Sequence, residues 1–172
     1  MRAYFLKTGR IGFSKWTSND SALARSLWGD AGVTRFICAA GTFSDQEIEK
    51  RLALEISNDS HHGIQYWPIF SLADGAFLGC CGLRPHGPEK GSYELGFHLK
   101  REQWGKGYAT EAAKAVIAYA FETMKAENLI AGHHPQNDGS RKVLSKLGFR
   151  RIEDAFYPAT GLYHAAYVYR MT

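Results

Sequence analysis

Apolar residues recur every three or four positions in a long run that begins just after Gly107. Ala109, Ala112, Val116 and Ile117 follow this spacing, which continues to about position 124. Such a period places the apolar side chains on one face of a helix. The second half of the chain is therefore expected to contain a long amphipathic helix.

Capping signals and the same period predict three further helices. Ser44 and Glu47 have the spacing of a capping box, and Gly148 stands where a left-handed residue commonly ends a helix. These helices are expected at about residues 18–28, 44–56 and 137–147.

Strand patterns fill the segments between the helices. Asp74-Gly75 is a hairpin signal, and Pro68 indicates that the strand containing it is either an edge strand or bulged. Seven strands are predicted, at residues 10–16, 64–71, 76–84, 92–99, 128–134, 149–157 and 162–171. The order of these elements predicts an α/β fold with a mixed central sheet of about six to seven strands and about four flanking helices.

The composition is that of one globular domain. With 172 residues, 45% of them hydrophobic, the chain is long enough to bury a core and short enough for a single domain over residues 1–172. No apolar run approaches the roughly 18 residues of a membrane span, and the N-terminal segment is unlike an export signal. A cytoplasmic protein with no membrane partner is expected.

Charge and cysteine usage restrict the classes of function. The net charge of +4 is spread along the chain, which suits an anionic ligand and gives little support to nucleic-acid binding. The three cysteines lack metal-ligand spacing and are expected to be reduced, buried thiols. His133 and His134 are neighbours on a strand and point to opposite faces, so no metal is expected there.

The turn Gly105-Lys106-Gly107 connects the strand at 92–99 to the long helix. The first N–H groups of a helix lack intrahelical acceptors, and glycines let a phosphate approach the backbone. The turn matches neither a Walker loop nor a dinucleotide-binding fingerprint. It is therefore either a phosphate site of another kind or a tight connection without a ligand.

Two segments together resemble the acetyl-CoA-binding core of the GNAT superfamily of acetyltransferases. They are ELGFHLKREQWGKGYATEAAKAVIAYAF, from position 94, and NDGSRKVLSKLGFR, from position 137. More narrowly, they are similar to the RimJ/RimL-like branch. The pyrophosphate signature of the superfamily, [QR]-x-x-G-x-[GA], falls on Trp104–Ala109, with Trp104 in place of Gln or Arg. The resemblance extends over about residues 8–171.

The resemblance implies acetyl transfer from acetyl-CoA to a primary amine, either on a small molecule or at a protein N-terminus. It also implies a sheet that splays between the strands near 92–99 and 128–134, with a backbone N–H of the first strand facing the thioester oxygen. A homodimer is a further expectation, because dimers are common in this family. The implied acetyl-CoA-binding residues are Phe97, Leu99, Trp104, Gly105, Lys106, Gly107, Tyr108, Ala109, Asn137 and Ser140.

The same resemblance assigns catalytic candidates. Glu94 stands where related enzymes place a base that removes the amine proton, although it could instead be a solvated residue or a salt-bridge partner. Ser140 is the candidate acid for the CoA thiolate, with bulk water as the alternative. Leu144 occupies the position of the tyrosine that serves as the acid elsewhere in the superfamily. A non-catalytic acyl-CoA-binding module is the alternative function.

The acceptor amine is expected to enter between residues 28–42 and the connection at 157–163. His98 and His134 are further candidates for this channel, after Glu94. The aromatic residues expected to line it are Trp28, Phe36, Phe43, Tyr157 and Tyr163.

Overall fold

A computed structural model describes all 172 residues and contains one eight-stranded sheet. The strands are β1 (Leu6–Lys7), β2 (Ile11–Phe13), β3 (Tyr66–Ser71), β4 (Phe77–Pro85), β5 (Ser92–Leu99), β6 (Asn128–His133), β7 (Arg150–Tyr157) and β8 (Leu162–Tyr169). The helices are α1 (Ser21–Trp28), α2 (Ala31–Thr34), α3 (Asp45–His62), α4 (Tyr108–Glu122) and α5 (Asp138–Leu147).

The predicted α/β fold is confirmed, with small differences in the elements. The two-residue strand β1 and the one-turn helix α2 are too short to give a periodic signal, and both were missed. Helix α3 continues through the polar run to His62, and Gly63 ends it in the left-handed conformation. Pro68 lies in a central strand rather than at an edge, but the expected bulge is present between Ile69 and Phe70.

The sheet opens in the middle, as the family resemblance implied. Its order is β1-β2-β3-β4-β5-β6-β8-β7, and only β5 and β6 run parallel. Their pairing is limited to Ser92–Glu94 against Asn128–Ile130. Beyond Glu94, β5 keeps β4 as its neighbour and β6 keeps β8, so a cleft separates β5 from β6.

Helices cover both faces of the sheet. On one face, the fully buried Ala112, Ala113 and Val116 of α4 pack against Leu83 and Leu95. These small side chains let α4 lie close to β4 and β5. The start of α4 is thereby held next to the end of β5, at one end of the cleft.

The opposite face has its own apolar cluster. Trp28 of α1 and Ile48 and Leu52 of α3 pack together with Tyr66 and Cys80 of the sheet. This cluster positions α3 against β3 and β4. One sheet thus joins strands from Leu6 to Tyr169, which supports a single domain over residues 1–172 as a proposal.

The cysteines are free thiols, and two of them are fully buried. Cys81 packs in the apolar cluster that contains Ala112, Ala113 and Val116, called the α4 cluster. Cys80 packs in the cluster that contains Ile48 and Leu52, called the α3 cluster. The opposite directions are expected for neighbours on a strand. Burial raises the pKa of Cys80 to about 12, so this thiol stays protonated. No group of His, Cys, Asp or Glu side chains is arranged to hold a metal ion. None of the helices has the length and apolar character needed to cross a membrane.

Candidate active site

The cleft between β5 and β6 forms part of a cavity of about 790 Å³. Of the residues predicted from the sequence for catalysis or cofactor binding, only Lys106 is not part of its wall. Lys106 is exposed, and its Nζ donates a hydrogen bond to Gln103 Oε1 at 3.3 Å. The cavity brings together Glu94, Phe97, Leu99, Trp104, Gly105, Gly107, Tyr108, Ala109, Asn137 and Ser140.

Backbone amides of β5 face the cleft. Just after the strand, Lys100 N–H donates to Leu78 O of β4 at 3.0 Å. Alternate residues of an antiparallel strand direct their amides to the same neighbour. The amides of Phe97 and Leu99 therefore point away from β4, toward the open side, where β6 has separated and leaves them without a strand partner.

The Gly105–Gly107 turn presents a helix start to the other end of the cavity. Gly105 and Gly107 have φ of +72° and +81°, which side chains disfavour, and the position of a Cβ on Gly105 is open space. Glu111 N–H is the first in α4 to bond back, to Gly107 O at 3.1 Å. The earlier amides of the helix are thus available to an anion.

The turn is anchored by residues on both sides of it. The indole Nε1 of Trp104 donates to Leu99 O at 3.0 Å, which ties the turn to the end of β5. From the other side, Arg10 donates through a terminal guanidinium nitrogen to Lys106 O at 3.1 Å. The same guanidinium lies 4.4 Å from the ring centroid of Tyr108.

Arg10 is a site residue that the sequence did not reveal. Its Nε is 2.7 Å from Glu111 Oε2, and its backbone N–H donates to Glu111 Oε1 at 3.0 Å. Burial acts to raise the pKa of Glu111, but hydrogen bonds from Thr8 and Arg10 hold it below its usual range. A carboxylate therefore lies beside the helix start, and Arg10 compensates its charge. No local pattern signals this contact, because the two residues are 101 positions apart.

Glu94 faces the cavity from the α3 side of the sheet. Its Oε1 accepts a hydrogen bond of 2.6 Å from the hydroxyl of Tyr66, and its Oε2 has no partner in the protein. Burial, followed by the charge of Glu94, raises the pKa of Tyr66 well above its usual value, so this hydroxyl remains a donor.

The alternative of a salt-bridged Glu94 is not observed. Arg84 lies directly opposite Glu94 on β4, yet its guanidinium binds Glu55. Glu55 is completely buried, and its second oxygen accepts the Tyr66 backbone N–H at 2.7 Å. No cation lies within 4.0 Å of Glu94, so one of its carboxylate oxygens is open to a ligand.

His98 also lines the cavity, as the sequence proposed. Trp28 Nε1 donates to His98 Nδ1 at 3.2 Å. Burial and the positive charges of Arg51 and Arg84 hold the pKa of His98 well below its usual range, so the ring is neutral near pH 7. With Nδ1 accepting, the proton resides on Nε2.

The first turn of α5 closes the cavity opposite β5. Asn137 Oδ1 accepts the backbone N–H of Ser140 at 3.1 Å, which makes Asn137 the N-cap of the helix. The Ser140 hydroxyl has no protein partner and is part of the cavity wall. Leu144, one turn further, is buried and also borders the cavity.

The two segments predicted to form the acceptor entrance border the cavity, but only some of their aromatic residues do. Phe36 and Tyr157 border the cavity, and Phe36 packs 4.8 Å from the ring of His134. Trp28 is fully buried, whereas Tyr163 is exposed. Phe43 packs against the α3 cluster and is likewise absent from the cavity wall. Aromatic content alone could not separate core from pocket.

Comparison with known proteins identifies the family to which this architecture belongs. Residues 10–150 match the model of the family described as "Acetyltransferase (GNAT) domain". The chain is a GNAT acetyltransferase.

Individual relatives agree with this assignment. The GNAT acetyltransferase is 40% identical over 146 residues to the uncharacterised N-acetyltransferase YnaD of Bacillus subtilis, covering 85% of this chain and 82% of YnaD. It superposes on an acetyltransferase from Agrobacterium tumefaciens with a TM-score of 0.81 and 25% identity, over 99% of both chains. RimJ of Mycobacterium smegmatis, solved with a CoA-disulfide, has a TM-score of 0.75 at 20% identity, covering 93% of this chain and 81% of RimJ.

Enzymes of this family take the acetyl group from acetyl-CoA, and the cavity of this GNAT acetyltransferase fits that donor. The α4 start offers free amides and glycines to a pyrophosphate. From there, the edge of β5 that has no strand partner runs along the cleft between β5 and β6 toward Glu94. The chain is thus an acetyltransferase of a family that uses acetyl-CoA.

Proposed function

We propose that this protein transfers an acetyl group from acetyl-CoA to a primary amine by direct attack within a ternary complex. One observation carries the proposal: a single cavity connects the anion-binding start of α4 with the free carboxylate oxygen of Glu94. Donor and acceptor can therefore meet in it without a covalent enzyme intermediate.

The donor end of the cavity binds and orients the thioester. In the proposal, the amides at the start of α4 hold the pyrophosphate, and Asn137 and Ser140 contact the CoA arm from α5. The cleft-facing amides of Phe97 and Leu99 are the candidate donors to the thioester oxygen, where negative charge develops during attack. A donor fixed in a strand needs no reorganisation at that moment.

Proton movement is assigned to two side chains. The free oxygen of Glu94 accepts the proton that the amine loses, either directly or through water, while Tyr66 holds the other oxygen in place. The unpartnered hydroxyl of Ser140 is the candidate that protonates the departing thiolate. A carboxylate and a hydroxyl left free in one cavity favour catalysis over a binding module that does not turn over.

The likeness to RimJ supports a RimJ/RimL-like enzyme in fold. Other solved neighbours include a ribosomal-protein-serine acetyltransferase from Vibrio cholerae, with a TM-score of 0.78 and 17% identity. Because of these neighbours, protein N-terminal α-amines are tested as acceptors together with small-molecule amines.

The proposed function is tested in two steps. CoA at about 100 times its dissociation constant should stabilise the protein by about 2.7 kcal/mol, seen as a higher thermal midpoint. Thiol release from acetyl-CoA is then measured with peptide N-termini, amino acids, polyamines and aminoglycosides. A CoA-dependent shift without thiol release from any amine would support the acyl-CoA-binding alternative instead.

Gly107→Val is expected to weaken CoA binding about tenfold or more. A residue at φ +81° is strained by about 1–3 kcal/mol when it carries a side chain, and the turn must move away from its anion-binding shape to relieve this. Isothermal titration with CoA measures the effect. Gly63→Val is the matched control, because Gly63 has φ +68° and open space around it but lies at the end of α3. Equal CoA affinity in both variants would show that the turn is misassigned.

Arg10→Ala is expected to weaken CoA binding roughly fivefold, a change of about 1 kcal/mol. Without the guanidinium, the Glu111 carboxylate stands uncompensated beside the anionic phosphates, and Lys106 O loses its donor. Arg25→Ala serves as the control, since Arg25 is an exposed arginine paired with Glu49 far from the turn. An unchanged dissociation constant in Arg10→Ala would remove this residue from the donor site.

A further inference from the structure

The acceptor side of the cavity contains more positive than negative charge. Three arginines, Arg35, Arg51 and Arg84, are part of the wall, together with the carboxylate of Glu94. Arg84 is neutralised by the buried Glu55 behind the wall. Neither Arg35 nor Arg51 has a carboxylate within 4.0 Å, so both charges remain uncompensated by the protein.

Arg51 is the more confined of the two. It lies on α3 one turn before Glu55, but both oxygens of Glu55 are already bound, by the Arg84 guanidinium and by the Tyr66 backbone N–H. The Nε of Arg51 is buried and has no hydrogen-bond partner. Arginine is rarely buried without a partner, because its guanidinium loses hydration there.

Two aromatic rings hold the Arg51 guanidinium in position. Its Cζ lies 5.1 Å from the ring centroid of Trp28 and 5.6 Å from that of Phe43. Cation–π contacts orient a guanidinium, but they leave its charge and its N–H donors available. Arg84, Glu55, Tyr66, Cys80 and His98 are close enough to Arg51 to feel its charge, but none of them forms a hydrogen bond or a salt bridge with it. Arg51 is therefore a preoriented anion receptor at the edge of the cavity.

We propose that the acceptor of this enzyme is an amino acid, whose carboxylate binds Arg51 while its amine is presented to Glu94. This inference rests on the proposed acetyl transfer and names the substrate class. A guanidinium matches a carboxylate with two parallel hydrogen bonds, which fixes the acceptor's orientation as well as its position.

Other acceptor classes fit this wall less well. Polyamines and aminoglycosides are polycations, and Arg35, Arg51 and Arg84 would repel them. A protein N-terminus carries an amide rather than a carboxylate next to its amine, which would leave Arg51 unpaired. The entrance to the cavity is also narrow for a protein chain. Ala39 N–H donates to Ala159 O at 2.8 Å, and this bond joins the segment at 28–42 to the connection at 157–163.

The test compares amino acids with their own amides as matched acceptors. The members of each pair share a side chain and an amine and differ only in the carboxylate. The amine of the amide loses its proton more readily, so a preference for the acid cannot arise from amine basicity. CoA release is measured as kcat/KM for the twenty amino acids, their amides, spermidine and kanamycin.

We expect at least one amino acid to exceed its amide by about tenfold or more in kcat/KM, as for a charge-assisted contact. In Arg51→Met, which keeps an apolar stem between Trp28 and Phe43, this ratio is expected to fall to near one. Both acceptors are measured on the same preparation, so any misfolded fraction cancels from the ratio. Arg25→Met is the control, and it should keep the wild-type ratio.

The outcomes separate this inference from the proposed function. Equal kcat/KM for acids and amides, or a preference for spermidine or kanamycin, would overturn the inference and leave amine acetylation intact. Binding is followed independently, as the change in thermal midpoint that each acid or amide produces in the presence of CoA. If no amine releases CoA, acetyl transfer fails, and the role of the amino acid as acceptor fails with it. A midpoint that amino acids, and not amides, raise in the wild type but not in Arg51→Met would then support only the contact between Arg51 and a carboxylate.

Discussion

Glu94→Gln is expected to lower kcat/KM by about 10²–10⁴-fold at pH 7, the usual contribution of a positioned general base. Glutamine keeps an oxygen that accepts the Tyr66 hydroxyl bond, so the wall should retain its shape. It cannot take up the amine proton. The rate of CoA release at subsaturating amine, which gives kcat/KM, is measured from pH 6 to pH 10 to check this expectation.

The pH profile distinguishes a base from a residue that merely shapes the pocket. At high pH more of the amine is already deprotonated, so the deficit of Glu94→Gln should narrow as the pH rises. A purely structural role would give a deficit that is constant with pH. CoA-induced stabilisation serves as the control and should match the wild type. A rate equal to that of the wild type at every pH would remove Glu94 as the base.

Glu55→Gln is expected to lower the free energy of unfolding by about 3–5 kcal/mol. Glu55 is completely buried, and its charge compensates Arg84 and lies near the unpaired Arg51. Removing Glu55 leaves the charge of the largely buried Arg84 without its counter-ion. Urea unfolding followed by circular dichroism measures the loss.

Glu94→Gln is the matched control for this stability effect. Both substitutions replace a carboxylate bound to Tyr66, but Glu94 is only half-buried and has no ion pair. Its unfolding free energy should change by less than about 1 kcal/mol. Glu55→Gln should therefore lower the stability of the fold, whereas Glu94→Gln should lower the activity and leave the stability nearly unchanged. A loss below about 1 kcal/mol in Glu55→Gln would mean that water reaches Arg84.

The elements around the proposed donor site could be predicted from the sequence because their determinants are local. The apolar period after Gly107 specifies α4, and the paired glycines specify a turn with two positive φ angles. Asn137 caps α5 through the amide three residues later, which is a short-range contact. Each of these features depends on neighbouring residues, so each leaves a pattern in the chain.

The acceptor site could not be predicted in the same way. Arg51, Arg84 and Glu94 come from α3, β4 and β5, and their contacts depend on the strand register and on how α3 packs against the sheet. The sequence placed Arg84 and Glu94 on separate predicted strands, but it could not show that Arg84 would bind Glu55 rather than Glu94.

The cytoplasmic location and the homodimer stay predictions.

By itself, the sequence determined the α/β fold, the glycine turn at the start of α4 and, through the family signature, acetyl-CoA as the donor that the family uses. These follow from periodicity, turn residues and motifs that act within a few positions. Only the tertiary structure decided that Glu94 keeps a free oxygen, that Arg10 compensates Glu111 and that Arg51 lacks a counter-ion. Such pairings depend on which distant side chains share a buried volume, and that is settled by packing rather than by local pattern.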